Sequence, residues 1–322
     1  METPRARTKP DQETTYNGRI YLDLNWLPQG VTAQFLENAA VYHQRYFNND
    51  HWNGLLARGL SLANIDRMSP ASILDIGSGS GNTVFPALRL MPNATLAATD
   101  ISPQLLDILI ETSETDPSLK SRVSAYCFDL HVDFFEDESF DLAIGGSFLH
   151  HMIDPIAALA NVVKWLRPEG SIIIFEPLEI GAHAMTAIYL NLLDELEDDN
   201  DCDARLITFF KAMRHDYEAR FGIPRLKPWT ALLDDKWLFH ASYLRTLAGT
   251  IGAELVTIEP VPVQFDKMFE AAIRFTLNAA GLGDVPTPSR LWRVVESYDL
   301  GMSTSLKRKF SPEGVIVLKK PG

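Results

Sequence analysis

Three glycines alternate with other residues in the stretch ILDIGSGSGN, residues 73 to 82, and an aspartate, Asp75, lies two positions before the first of them. The glycines are Gly77, Gly79 and Gly81. Glycine lets a backbone turn sharply and approach a ligand closely. When such a turn opens a helix, its N–H groups lie at the positive end of the helix dipole. The stretch is therefore typical of a site that binds a nucleotide-like cofactor.

The glycine spacing distinguishes between classes of cofactor. Dinucleotide-binding folds use G-x-G-x-x-G with an acidic residue about 20 positions later. The third glycine of that pattern is replaced here by Asn82, which places a dehydrogenase last among the alternatives. The stretch resembles instead the D/E-x-G-x-G-x-G motif of the class I S-adenosylmethionine-dependent methyltransferases. A glycine-rich turn in some other α/β protein is the alternative that the motif alone leaves open.

The resemblance implies contacts to each part of the cofactor. The glycine turn would pack against the methionine part, and Asp75 would help to hold the ammonium group, often through water. Asp100 closes the next apolar strand, where a carboxylate can accept hydrogen bonds from both ribose hydroxyls. Asp129 would accept a bond from the adenine amino group beside the backbone amide of Leu130, or be an exposed loop acid. The cofactor-binding residues expected on this basis are Asp75, Gly77, Ser78, Gly79, Gly81, Asp100, Ile101, Asp129, Leu130 and Ser147.

Two histidines and a glutamate are the candidate catalytic residues. Methyl transfer from a sulfonium needs mainly proximity, alignment and a nucleophile in its reactive protonation state. Histidine is the side chain best suited to accept a proton from an oxygen nucleophile near neutral pH. His150 and His151 follow the fourth strand, where several O-methyltransferases of the resembled family carry an L-H motif, and Glu176 ends the fifth. We rank His150 first; the alternatives are a structural or cofactor-contact role for the histidines and helix capping for Glu176.

No metal is expected, because no further ligands stand at fixed helical spacing around the two histidines. The acidic loop Glu197 to Asp203 lacks the register of a calcium-binding loop and is predicted to be solvated.

The elements that must position these residues follow one another in the order typical of the resembled family, continuously from residue 72 to residue 177. Residues 240 to 263 are expected to form a helix followed by strand six, and residues 314 to 321 a seventh strand. The expected fold is α/β: a doubly wound, mostly parallel seven-stranded sheet with an antiparallel last strand and a helical cap formed by insertions. The expected segments are a disordered tail (1–18), an N-terminal helical lid (19–70), the cofactor-binding core (71–178), a cap insertion (179–239) and the end of the core (240–322), with a second helical insertion at 264–312.

Aromatic residues in the lid and cap give the sequence's only indication of the substrate. Tyr42, Tyr46 or Trp52 of the lid could reach the cofactor, although packing of the lid onto the sheet is the preferred explanation for them. The aromatic residues of the insertions favour an apolar cap over a mostly hydrophobic small molecule, or form the core of the cap itself. These residues are Tyr189, Phe209, Phe210, Trp229, Trp237 and Phe239.

The amino-acid composition limits the kinds of molecule that the protein is expected to bind. A formal net charge of −13 without a basic stripe disfavours binding to nucleic acid. The sequence GGSF stands where amino-methyltransferases of nucleic acid carry Asn/Asp-Pro-Pro-Tyr/Phe. Two cysteines, the absence of a secretory signal pattern and the absence of an 18-residue apolar run favour the cytoplasm without membrane contact. The expected partner is a small-molecule substrate, with the insertions offering a surface for a homodimer.

The predicted function is methyl transfer from S-adenosylmethionine to a small, largely apolar metabolite, at oxygen and with a histidine as general base. The first alternative is an enzyme of the same fold that binds the cofactor but catalyses a rearrangement or elimination. The second is a non-catalytic interaction subunit, which the intact Asp75, glycines and Asp100 disfavour.

Overall fold

Runs of apolar and β-branched residues pair into one nine-stranded sheet in a computed structural model that describes residues 15–22, 38–196, 202–222, 234–261 and 265–322. The strand order is β1-β2-β5-β4-β3-β6-β7-β9-β8. The strands are β1 (Thr15–Tyr16), β2 (Ile20–Leu22), β3 (Ser72–Ile76), β4 (Thr95–Asp100), β5 (Val123–Cys127), β6 (Phe140–Gly146), β7 (Leu166–Pro177), β8 (Glu254–Pro260) and β9 (Glu313–Lys319).

The pairing confirms the expected α/β sheet. Strands β2 to β7 pair in parallel with one another, β1 is antiparallel to β2, and β9 lies between β7 and β8 and is antiparallel to both. The strand count is nine and not seven, because a hairpin, β1–β2, adds to the free edge of β5. Residues 15 to 18, expected to belong to a disordered tail, form β1 and the turn after it; residues 1 to 14 lie outside the described part of the chain.

Helices cover both faces of the sheet. Proline and a capping side chain mark several helix starts: Ser102 accepts a hydrogen bond from the Leu105 N–H, and Asp154 accepts two from the turn after Pro155. The described helices are α1 (Ala39–Tyr46), α2 (Asn49–Leu62), α3 (Val84–Leu90), α4 (Pro103–Glu114), α5 (Pro117–Lys120), a 3-10 turn (Leu149–His151), α6 (Pro155–Trp165), α7 (Glu179–Asp194), α8 (Ala204–Arg220), α9 (Ala241–Thr250), α10 (Met268–Ala279), α11 (Ser289–Gly301) and α12 (Thr304–Lys309).

The alternation of side chains along each strand builds two cores. In β3, Leu74 and Ile76 contribute to the core under α6 and α9, while Ile73 faces the opposite core, under α2, α3 and α4. In β7 the same alternation separates Ile174 from Ile173. In a doubly wound sheet, helices cover both faces, so successive side chains of a strand are buried alternately on one face and on the other. This packing fixes the ends of the strands, and the candidate site lies at those ends.

A third core belongs to the cap. Helices α7, α8, α10 and α11 pack around Tyr189, Phe210 and Phe269. Of the aromatic residues expected in the cap, Tyr189, Phe209 and Phe210 are buried in this core, Trp237 and Phe239 instead join the core of the sheet, and Trp229 lies outside the described residues.

Neither cysteine is paired: Cys127 and Cys202 are free thiols, and Cys127 is buried. Within the described ranges, no helix combines the length and apolar character needed to cross a bilayer.

Candidate functional site

A cavity of about 600 Å³ opens where the carboxyl ends of β3 to β6 meet the lid and the cap. Its core side is lined by the glycine turn after β3 and by residues that follow β4, β5 and β6. The lid contributes Tyr42, Tyr46 and Trp52, and the cap contributes mostly apolar side chains such as Met185 and Met268. Ligands of open α/β sheets bind at this edge.

Glycine is needed for a different structural reason at each of the three motif positions. All three have positive φ: +65° at Gly77, +51° at Gly79 and +106° at Gly81. A Cβ at Gly77 would lie 2.5 Å from the Cβ of Phe148, whereas a Cβ at Gly79 would meet no atom within 4 Å. A Cβ at Gly81 would lie 2.4 Å from the ring of Phe85. Gly77 and Gly79 line the cavity, while Gly81 does not and serves helix packing.

Asp75 is a buried carboxylate without a counter-charge. Its side chain is fully buried, and neither of its oxygens has a hydrogen-bond partner among the described residues. Burial raises the pKa of Asp75 to about 7; Thr83 and Ser78 oppose this rise only in part, and the charge of Asp100 adds to it. A buried, unpaired carboxylate calls for a cation or water close by. This orphaned group, directly behind the glycine turn, fits the ammonium group of an amino-acid-like ligand.

Asp100 joins the glycine turn to the next strand. Its Oδ2 accepts a hydrogen bond of 2.8 Å from the Gly79 N–H, and its Oδ1 accepts one of 2.8 Å from the Ser102 N–H. A carboxylate can accept about four bonds, so both oxygens retain capacity for ligand hydroxyls. Burial raises the pKa of Asp100 against the lowering effect of these bonds. Asp100 lines the cavity, as does Ile101 beside it.

The remaining predicted cofactor contacts also line the cavity: Ser78, Asp129, Leu130 and Ser147. The Oδ1 of Asp129 accepts bonds from the backbone N–H of His131 (2.9 Å) and from its ring Nδ1 (2.6 Å). Burial alone would raise the pKa of Asp129, but His131 holds it below the usual value. Of the ten expected contacts, eight therefore lie on the cavity wall, and Asp75 and Gly81 lie behind it.

The lid is fastened to the glycine turn through Asn82, the residue that broke the dinucleotide pattern. Its Oδ1 accepts a bond of 2.8 Å from the Asn48 N–H, and its Nδ2 donates one of 3.0 Å to the Tyr46 carbonyl. Trp52 lies over Gly146, where a Cβ would come within 2.4 Å of the indole ring. All three aromatic residues considered for the lid reach the cavity.

Glu176 and His150 lie beneath the cavity wall. Glu176 is buried, and its Oε1 accepts bonds from the backbone N–H groups of Phe148 (3.1 Å) and Leu149 (2.7 Å). Its Oε2 lies 2.6 Å from the Nδ1 of His150. Glu176 thus caps the 3-10 turn and fixes the ring of His150, and neither side chain lines the cavity. Burial alone would lower the pKa of His150, but Glu176 and Asp235 raise it to about 10.

His151 is the histidine of this pair that faces the cavity. Its Nδ1 lies 3.0 Å from the carbonyl oxygen of Asp234, to which it donates, so Nε2 is the ring's accepting nitrogen in this tautomer. Burial, reinforced by the charge of His150, lowers the pKa of His151 to about 3. His151 therefore lines the cavity, whereas His150, which ranked first on sequence, does not.

Sequence reasoning missed the acidic partner of both rings. The Oδ1 of Asp235 lies 3.6 Å from the Nε2 of His150 and 3.4 Å from the Nδ1 of His151. Its Oδ2 lies 3.5 Å from Arg220, which also pairs with Asp216. The backbone N–H of Lys236 donates to the His150 carbonyl at 2.8 Å, which pins this segment to the turn. No local pattern could reveal the contact, because Asp235 follows the histidines by more than 80 residues.

Comparison with known proteins shows which family the core of the chain resembles. Residues 74 to 172 match the family model described as methyltransferase domain. A malonyl-[acyl-carrier protein] O-methyltransferase of Halorhodospira halophila is 30% identical over 106 residues, which cover 33% of this chain and 35% of that protein. A mitochondrial 2-methoxy-6-polyprenyl-1,4-benzoquinol methylase of Caenorhabditis elegans is 27% identical over 120 residues, covering 37% and 42%. The chain matches less than half the length of either relative.

Solved structures share the fold over most of the chain. The methyltransferase in a complex with the Haloferax volcanii activator Trm112 has a TM-score of 0.57 at 15% identity, covering 91% of this chain and 100% of that one. The [4+2]-cyclase SpnF has a TM-score of 0.50 at 17% identity, covering 84% and 80%. Such identities establish the fold and leave the reaction open.

Proposed function

We propose that this chain, which belongs to the class I S-adenosylmethionine-dependent methyltransferases, transfers a methyl group to an oxygen atom of a small, largely apolar molecule. The proposal rests on one continuous cavity, which joins the glycine turn and Asp100 to a chamber under the apolar cap. A cofactor bound at the turn and a substrate bound under the cap would share one water-poor space.

The residues at the turn fit the cofactor. S-adenosylmethionine supplies a methyl group that is already activated by its positively charged sulfur. The unpaired carboxylate of Asp75 would stabilise the ammonium group, directly or through water, and Asp100 would accept bonds from the ribose. The absence of a side chain at Gly79 leaves room for close approach. Asp129 and Leu130 would hold the adenine ring at the far end of the same wall.

The chamber under the cap fits an apolar substrate with a single polar end. Apolar residues of α7 and α10, among them Ala182, Met185 and Ala271, form one side of it. The polar residues His151, Asp234 and Glu313 also line the cavity. The relatives' names, an O-methyltransferase of an acyl-carrier-bound malonyl group and a benzoquinol methylase, support a small acceptor of this kind.

His151 is the side chain proposed to receive the substrate hydroxyl. Its Nδ1 donates to the Asp234 carbonyl, so its Nε2 can accept the hydroxyl proton. The pKa of His151 is lowered to about 3, but formation of the bond between the oxygen and the methyl group makes that proton far more acidic. His150 and Glu176 are proposed as positioning residues, because the bond between them and the capping of the 3-10 turn hold His151 in place. This assignment moves His150 and Glu176 from the catalytic roles expected from sequence to supporting roles.

The test begins with S-adenosylhomocysteine, whose binding is measured by calorimetry. Turnover is then screened with S-adenosylmethionine against small apolar phenols and carboxylic acids, with detection of both methylated product and S-adenosylhomocysteine. His151→Ala should lower kcat about 10²- to 10⁴-fold with unchanged S-adenosylhomocysteine affinity. His183→Ala, on the exposed side of α7, is the control and should leave both unchanged. Absence of any binding to the wild-type protein would refute the proposal.

The likeness to a [4+2]-cyclase supports a second candidate: cofactor binding without methyl transfer. The two functions separate in one assay. Conversion of an acceptor without accumulation of S-adenosylhomocysteine would favour the second, and equimolar product and S-adenosylhomocysteine would favour the first.

A further inference from the structure

We propose that His150, His151 and Asp235 bind one divalent transition-metal ion, with Zn²⁺ favoured by the donor set, at the edge of the cavity, where His151 lines the wall and His150 lies beneath it. One ligand atom of each residue lies within 4.8 Å of those of the other two. Two imidazole nitrogens and one carboxylate oxygen form a donor set that suits zinc and leaves a fourth position open.

Two of the three distances between the prospective ligand atoms are close to the spacing of coordinated ligands. Ligands about 2.0–2.1 Å from a tetrahedral zinc ion lie about 3.3–3.4 Å from each other. The Oδ1 of Asp235 lies 3.4 Å from the Nδ1 of His151 and 3.6 Å from the Nε2 of His150. A direct charged hydrogen bond would be near 2.7–2.9 Å. The spacing therefore leaves room for an ion between the three side chains.

Glu176 supplies the support that metal-binding histidines usually have. The nitrogen of His150 that would not bind the metal, Nδ1, lies 2.6 Å from the Oε2 of Glu176. A carboxylate in this place fixes the tautomer of a ligating histidine and raises its basicity. It also directs Nε2 of His150 towards Asp235. Coordination of His151 through Nδ1 would replace its bond to the Asp234 carbonyl and move the ring proton to Nε2.

The side chains around the cluster carry more negative than positive charge, which favours the binding of a cation. Four carboxylates interact with one another or with His150, and a fifth interacts with Lys236, against two basic side chains. The carboxylates are Glu176, Asp216, Asp234, Asp235 and Glu313, and the basic residues are Arg220 and Lys236. A divalent ion would offset most of the excess negative charge.

The open fourth position would lie on the cavity side of the cluster, because one of the three ligands, His151, lines the cavity, whereas His150 and Asp235 do not. This part of the inference rests on the proposed function: the ion would bind the substrate oxygen and favour its deprotonated form, in place of proton transfer to His151. Metal binding itself needs neither cofactor nor substrate. The inference replaces the sequence-based expectation of no metal, which considered only ligands near the histidines along the chain.

The test uses the full chain, treated with a chelator, dialysed, and titrated with Zn²⁺ by calorimetry and with Co²⁺ by visible absorption. We expect one ion per chain and the intense absorption of tetrahedral Co²⁺. Asp235→Asn and His151→Gln should each weaken Zn²⁺ binding at least 100-fold, and Glu176→Gln should weaken it about 10- to 100-fold. His183→Gln, which removes an exposed histidine, should leave the affinity unchanged.

Failure of the metal site is distinguishable from failure of the proposed function. If Zn²⁺ does not bind, or if Asp235→Asn binds it as well as the wild type does, the cluster is only an ion-pair network and the inference is wrong. Titrations of the same samples with S-adenosylhomocysteine report separately on the cofactor site. Because the cobalt spectrum of the wild-type protein needs no variant, a variant that fails to fold still leaves the inference open to refutation.

Discussion

The carboxylate of Glu176 bonds at once to the ring of His150 and to the backbone of the turn that carries His150, with Oε2 2.6 Å from Nδ1 and Oε1 2.7 Å from the Leu149 nitrogen. The buried side chain of Glu176 therefore holds the 3-10 turn in place and also orients the ring of His150.

Glu176→Ala should destabilise the fold strongly. Removing one partner of a buried pair costs about 3–5 kcal/mol, because the other partner and the N–H groups of the turn lose their acceptor. Glu176→Gln retains an acceptor for the N–H groups and should cost less. Urea unfolding of both variants measures the difference, with Glu169→Gln, an exposed acid paired with Lys319, as a control expected within about 0.5 kcal/mol of wild type. Equal stability of the Ala and Gln variants would contradict the capping role.

Alanine at Gly77 and at Gly79 should have separable effects. Both positions have positive φ, which costs alanine about 1 kcal/mol, but only at Gly77 would the new Cβ also collide with Phe148. Gly77→Ala should therefore lose about 2–4 kcal/mol of unfolding free energy. Gly79→Ala should lose about 1 kcal/mol, yet weaken S-adenosylhomocysteine binding at least 10-fold, because its Cβ would enter the cavity.

Gly252→Ala is the matched control for these variants. Its φ is +73°, its Cβ would meet no atom within 4 Å, and it does not line the cavity. It should lose about as much stability as Gly79→Ala with no change in calorimetric S-adenosylhomocysteine affinity. If Gly79→Ala also left that affinity unchanged, the turn would not contact the cofactor.

Asp75 should make the stability of the ligand-free protein depend on pH. Burial raises its pKa in the folded chain to about 7, above the value near 3.9 of an unfolded chain, so the folded state holds the proton more tightly. The unfolding free energy should thus fall as pH rises from about 4 to about 7, by up to roughly 4 kcal/mol from this group. Asp75→Asn should remove this component, measured as the difference between wild-type and variant urea unfolding at pH 5 and pH 8.

The same carboxylate should couple cofactor binding to pH in the opposite direction. An ammonium group favours ionised Asp75, so the affinity for S-adenosylhomocysteine should rise as pH increases through about 7. Asp75→Asn should bind more weakly at pH 8 and lose this dependence. A variant with wild-type affinity at both pH values would show that the ammonium lies elsewhere.

Asn82→Ala should loosen the lid. It removes the two hydrogen bonds that hold the backbone of Asn48 and Tyr46 to the glycine turn. We expect faster dissociation of S-adenosylhomocysteine in stopped flow and faster proteolysis near α1, with about 1–2 kcal/mol of lost stability. Asn93→Ala removes one exposed side-chain bond to Met68 and should change neither rate. Unchanged dissociation in Asn82→Ala would mean that the lid does not control release.

The sheet, and the position of the glycine turn and Asp100 at the ends of its strands, were predictable because their signals are local. Alternating or continuous apolar runs gave the strands from β3 onward, and the motif around Asp75 lies on consecutive residues. The hairpin β1–β2 escaped prediction because strands of two and three residues carry no periodicity. Asp235 escaped because its contact with His150 and His151 depends on how the chain returns from the cap, which no short window of sequence contains.

The order of the two histidines shows the same limit. The L-H motif favoured His150, yet the direction of each ring depends on Glu176 and on Asp234, which belong to other elements. Adjacent residues on a 3-10 turn point in different directions, so the sequence identified the turn without identifying which ring faces the cavity.

The short hairpin at residues 15 to 22 has a consequence for self-association. Ile20 to Leu22 pair along β5, and Arg19 bonds to Asp107 on α4 at 2.6 Å, so the N–H and C=O groups at that side of the sheet are already engaged. Without this covering, β5 would offer an open template to a strand from another molecule. Residues 15 to 22 thus leave only the two-residue strand β1 at this edge of the sheet, which is a short template for pairing with another molecule.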